Sequence, residues 1–85
     1  MNYQEFIEKL GHSYLIPDMW EFYYILTNET LTQQELLEKV VLNCSGVPNV
    51  LINGKNSDWL IAIPKPYQLS ETFPGQVNHI KEETV

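Results

Sequence analysis

Arginine is absent from all 85 residues, and the five lysines, Lys9, Lys39, Lys55, Lys65 and Lys81, face eleven carboxylates, for a net charge of -6. The missing side chain is the one whose planar fork grips phosphate and carboxylate in bidentate fashion. Reading a nucleic-acid duplex also requires several phosphate contacts along a basic stripe, and scattered lysines among twice as many acids supply no positive field. Direct binding of nucleic acid is therefore not expected.

Cysteine is nearly absent as well. A lone Cys44 forms no intramolecular disulfide, whereas a secreted domain this small is usually stapled by several. The opening Met1-Asn2-Tyr3-Gln4-Glu5 lacks the basic region and apolar run of a signal peptide, and no stretch approaches the roughly 20 apolar residues of a membrane span. The expected home is the cytoplasm, with no membrane partner. Glycine is too sparse for a phosphate-cradling loop, since Gly11, Gly46, Gly54 and Gly75 lie far apart. Two histidines and one cysteine fall short of the about four ligands of a structural zinc site. No metal, cofactor or catalytic residue is expected, and Cys44, at the end of an apolar helical stripe, reads as a small buried hydrophobe.

What the chain does have is apolar mass: 44% hydrophobic residues and ten aromatics, Trp, Tyr and Phe together, more than a disordered acidic chain carries. Tyr3, Phe6, Ile7 and Leu10 fall at i, i+3, i+4 and i+7, with Asn2 placed as N-cap and Gly11 just past the end, which predicts a first amphipathic helix. Thr32 and Glu35 are spaced for a reciprocal capping box, with Leu31 placed to staple onto Leu36. A second helix follows from there to about Asn43, turning Leu36, Leu37, Val40, Val41 and Cys44 to one side.

Between these helices, Met19 to Leu26 is apolar all round, and its aromatics suit a strand as well as a helix. Pro17 at a first turn, with Asp18 and Glu21 early, favours a helix over Pro17 to Leu26. Val50-Leu51-Ile52 and Trp59 to Ile63 are β-rich runs flanking the turn formers Asn53 to Asp58, and so predict a hairpin with a long loop. Trp59 to Ile63 is apolar on both faces, which places it inside a sheet or beneath a helix. After Ile63 the prolines Pro64, Pro66 and Pro74 favour extended geometry. A globular domain over residues 1–63 with an arm or tail over 64–85 is expected, with one helical turn between Gly75 and Glu83.

Cys44 to Lys55 resembles the Val-Pro-x-x-x-Ile-Asn-Gly-Lys stretch of glutaredoxins, but the upstream Cys-x-x-Cys or Cys-x-x-Ser is missing and no redox activity is inferred. Phe22 to Val40 is similar to the first two helices of winged-helix domains. That resemblance implies a winged-helix-like topology in which the hairpin Val50 to Ile63 serves as the wing. It departs between Asn43 and Leu51, where no Arg or Lys is available for a groove.

The fold class expected is α+β, two or three short helices packed on a β-hairpin with a proline-containing tail. The function expected is that of a small acidic module that binds, and inhibits or regulates, a protein partner of basic character or a second copy of itself. The alternative class is a winged-helix transcription regulator or nucleic-acid-associated protein. The expected contact residues are Asp18, Trp20, Glu21, Tyr23 and Tyr24, because exposed rings rimmed by charge are the usual anatomy of an interface.

Overall fold

The computed structural model describes residues 1–12 and 14–82. It is an α+β fold of two helices and one four-stranded antiparallel sheet: α1 (Tyr3–Leu10), β1 (Trp20–Leu26), α2 (Gln33–Asn43), β2 (Leu51–Lys55), β3 (Asp58–Pro64) and β4 (Gln76–Ile80). The strand order is β2-β3-β1-β4, so β3 and β1 are interior and β2 and β4 form the edges. Among the described residues, no helix is long and apolar enough to cross a membrane.

Both helices begin where their caps predict. The Asn2 side chain accepts the Glu5 N–H at 2.9 Å, and Gly11, at φ 82, donates its N–H to the Ile7 carbonyl and ends α1. At α2 the Thr32 hydroxyl accepts the Glu35 N–H at 3.1 Å, while the Glu35 carboxylate accepts the Thr32 N–H at 3.0 Å. The Thr32 N–H, with the Thr32 hydroxyl beside it, favours the charged carboxylate, and Glu35 is held below the usual carboxylate range. The predicted stripe of α2 is buried at Leu36, Val40 and Cys44, with Val41 at its flank.

The segment Pro17 to Leu26 departs from expectation: it is not a helix but a turn followed by the strand β1. β1 pairs with β3 through Trp20↔Pro64 to Leu26↔Asp58 and with β4 through Phe22↔Ile80 to Leu26↔Gln76. Its unbroken apolar run follows from burial on both sides, since Tyr23 and Ile25 face α2 while Phe22 faces α1. β3 shows the same logic, as its sequence predicted. Trp59, Ile61 and Ile63 enter the α2-side core, and Leu60 and Ala62 enter the α1-side core.

Residues 22–40, whose winged-helix likeness implied two consecutive helices, therefore form a strand, a linker and one helix. The hairpin loop is also shorter than expected, because Asn53, Gly54 and Lys55 continue β2 and only Asn56 and Ser57 turn the chain. Asn56 takes φ 58, which asparagine tolerates well. Gly54, at φ 148, lies so close to β3 that a Cβ there would meet the backbone of Asp58 and Trp59. The Asn56 carbonyl accepts from both the Leu31 N–H (2.9 Å) and the Trp59 indole (3.1 Å), which ties the turn to the linker before α2.

The region after Ile63 is not a free arm. Leu69 and Phe73 bury in the α2-side core, Ser70 N–H donates to the Asn43 side chain at 2.6 Å, and Gln76–Ile80 joins the sheet as β4 in place of the expected helical turn. The prolines shape the connection, and the chain then returns. Glu83, the far end of that expected turn, lies outside the described residues.

Candidate functional site

Because β1 is extended, its side chains alternate between faces, and this separates the five residues expected at one interface. Tyr23 is buried beneath the β3–β4 connection, where its hydroxyl accepts the Leu69 N–H at 3.2 Å and burial, reinforced by the Glu21 charge, pushes the phenol up. Tyr24 is half-buried on the opposite face and donates to Asp58 at 3.3 Å; burial and that carboxylate raise its phenol too. The Tyr23 ring is closed off, whereas Tyr24 keeps one side open to a cleft with Lys9, Asn53 and Asp58. Trp20 packs at the margin of the α1-side core, and Asp18 is exposed in the turn just before β1. Asp18, Trp20 and Glu21 thus gather at the start of β1, while Tyr23 and Tyr24 support the fold.

Glu21 is the electrostatic centre of this end. Its carboxylate meets the His79 ring nitrogen at 2.6 Å and the Lys65 ammonium at 3.8 Å, and its own side chain is only 14% exposed. His79 lies flat on Tyr23, with ring centroids 4.9 Å apart and planes 17° apart. A cleft of about 350 Å³ opens here, lined by Pro17, Trp20, Glu21, Lys65, His79 and Lys81 among others. Lys65 and Lys81 therefore share this cleft with the carboxylates of Glu21 and Glu82, so charges of both signs meet here rather than a field of one sign.

The residues that sequence reasoning missed stand immediately before this cleft. Tyr14, Ile16 and Met19 are 73%, 53% and 60% exposed. They are held on a connected scaffold: the Leu15 side chain is buried, its N–H donates to the His12 carbonyl (3.2 Å), and Met19 N–H donates to the Ile16 carbonyl (2.9 Å). The Met19 carbonyl in turn accepts the Lys65 N–H at 2.9 Å, pinning the loop to the end of β3. The Tyr14 hydroxyl lies 3.1 Å from the His12 ring. The signal for this surface was the run Tyr14-Leu15-Ile16 between Gly11 and Pro17, an apolar stretch too short for an element of its own. A second apolar strip lies on the outer side of α2, where Leu42 is 82% exposed beside Leu37, Val41 and Glu38.

Cys44 is a free thiol buried in the α2-side core, and burial raises its pKa, so it stays protonated at neutral pH. Among the described residues, no three His, Cys, Asp or Glu side chains are grouped to hold a metal ion. No protein-family model, curated protein or solved structure matches this chain.

Proposed function

We propose that this chain is a small acidic protein-binding module that inhibits or regulates a basic protein partner through the loop between α1 and β1. The observation that carries the reading is the exposure of Tyr14, Ile16 and Met19 on a loop pinned by Leu15 and by the Lys65–Met19 hydrogen bond. Three large apolar side chains held outward on one loop need a reason, because soluble domains seldom leave such groups contiguous and wet. Pinning them in advance lowers the ordering cost that association otherwise carries. Asp18 beside them and the net charge of -6 would speed encounter with a basic surface, and the apolar centre would hold it. The unpaired, buried Cys44 suits a reducing cytoplasm.

The winged-helix alternative asks for a basic recognition helix after α2. Residues 44–50 form turns and extended chain with no lysine, which favours the protein-binding reading over it. The test is affinity capture from the native host, followed by calorimetry with the purified partner. Ile16→Ser combined with Met19→Ser should lower affinity at least about tenfold without shifting the melting temperature, while Leu42→Ser should leave binding unchanged. Equal loss from Leu42→Ser, or none from the loop pair, would move the interface to α2.

A further inference from the structure

We propose that β4 is a dimerisation strand: two copies of the chain pair Gln76–Ile80 antiparallel about a two-fold axis at Asn78, joining their sheets into one. This surface is separate from the Tyr14–Met19 loop and does not depend on it. The starting point is the difference between the two edges of the sheet. An edge strand presents a row of unpaired backbone donors and acceptors, and proteins that stay monomeric guard it with lysine, proline, bulges or covering elements.

β2 is guarded. Lys55 stands at its end, Gly54 at φ 148 distorts its backbone, and the Asn53 side chain donates to the Lys9 carbonyl at 2.6 Å, which draws the end of α1 over it. Within its five residues β4 carries none of these devices, which stand only outside it, as Gly75 at φ 118 before it and Lys81 after it. Gln76-Val77-Asn78-His79-Ile80 holds no lysine, proline or carboxylate, although the chain has eleven acids to distribute. Its one ionisable side chain, His79, lies flat against Tyr23 and bonds to Glu21 while staying 37% exposed.

Charge selects the occupant. Two copies at -6 each repel wherever their acidic surfaces meet, so self-association favours a strand that itself carries no carboxylate, and β4 is one, with Glu71 bordering only the groove beside it. With Asn78 opposite its own copy, Val77 falls opposite His79 and Gln76 opposite Ile80, and one step further Lys81 falls opposite Gly75. No like-charged carboxylates face each other along the strand. An uncharged, self-complementary edge gains nothing in steering a charged foreign peptide, whereas it removes the obstacle to a second copy.

Side-chain packing points the same way. On the α2 face a groove of about 440 Å³ runs beside β4, bordered by Tyr23, Val77 and His79 and by Leu69, Ser70 and Glu71 of the preceding connection. In antiparallel pairing, directly opposed residues share a face. Val77 and His79 of both copies would then form one cluster beside this groove, while Asn78 and its copy meet on the other face.

The experiment is sedimentation equilibrium of the full chain over a concentration series, joined to amide hydrogen exchange at low and high concentration. The expected result is a monomer–dimer equilibrium with Kd below about 1 mM, with protection rising at 76–80 and unchanged at 51–55. Asn78→Lys and Asn78→Asp each set like charges against each other at the axis and should weaken dimerisation about fivefold or more. An equimolar mixture of the two should restore association as a heterodimer. A monomer throughout, protection at 51–55 instead, or a mixture no tighter than either folded variant alone would overturn the proposal. Should either variant fail to fold, the exchange pattern of the unaltered chain decides.

Discussion

The two faces of the sheet bury apolar side chains in different ways. The α2 face combines Trp59, Ile61 and Ile63 of β3 with Leu36, Val40 and Cys44 and with Leu69 and Phe73 from the β3–β4 connection. Polar bonds cross-tie it: Tyr23 to Leu69, Asn43 to Ser70, and Trp59 to Asn56. The α1 face is smaller and holds a short helix through Phe6, Ile7 and Leu10, with Phe6 and Tyr3 each meeting Phe22 edge-on at 5.6 Å. Its helix has one side-chain tie to the sheet's edge, from Asn53 to Lys9. The α2 layer should therefore set the global stability, and the α1 layer should open first.

The sharpest test of that contrast is Trp59→Ala, which removes the largest fully buried side chain. It should cost about 3–5 kcal/mol, comparable with the whole stability of a domain this size, and chemical denaturation should find the variant largely unfolded. Phe6→Ala removes a fully buried ring from the other face and should cost about 3 kcal/mol. Its signature should be local: native-state hydrogen exchange speeds up across residues 3–10 while α2 stays protected. If instead α2 loosens equally, the two layers form one cooperative unit and the comparison fails.

Tyr23→Phe should cost about 1–2 kcal/mol, because the buried Leu69 N–H loses its acceptor. It should also change the alkaline limb of stability. The folded-state pKa values of Tyr23 and Cys44 are both raised. The unfolded chain therefore releases these protons first, and stability is intact below the ordinary thiol and phenol values and falls as pH rises through the raised ones. Removing this phenol should reduce the part of that fall above about pH 10, leaving the smaller share of the raised Tyr3 and Tyr24 phenols and the thiol part. An unchanged alkaline profile would assign it elsewhere. The smallest effect is that of Thr32→Ala, which breaks the capping box and should cost about 1 kcal/mol with no local opening at α1.

Much of this contrast was readable in the residues. The caps at Asn2 and Thr32 work through bonds within a few positions, and the stripes they introduce need no tertiary context. Trp59 to Ile63 announced a doubly covered strand. Met19 to Leu26 carried the same double-sided apolar pattern, but Pro17, Asp18 and Glu21 imitated a helix start. In the structure Asp18 belongs to the preceding turn and Glu21 answers His79 on β4. That partner lies 58 positions away, and no local rule weighs it. Strand β4 was illegible for a related reason: an edge strand with one covered end has neither strict alternation nor a continuous apolar run. The residues expected at one interface are divided because alternation along a strand sends neighbouring rings to opposite layers, whereas a helix would have kept several together.

The order in which the chain meets itself has a kinetic consequence. Only the β2–β3 hairpin closes locally. β1, the first strand in sequence, finds both neighbours beyond α2, and the Asn78–Tyr24 bond spans 54 positions. Such non-local pairing slows folding, into about the millisecond-to-second range for domains dominated by it. Until residues 76–80 dock, Trp20–Leu26 remains an apolar strand with an open edge, the kind of segment that recruits other chains during folding. Closing the sheet with β4 hides that segment, so weakening β4 should raise aggregation during refolding more than it lowers the melting temperature.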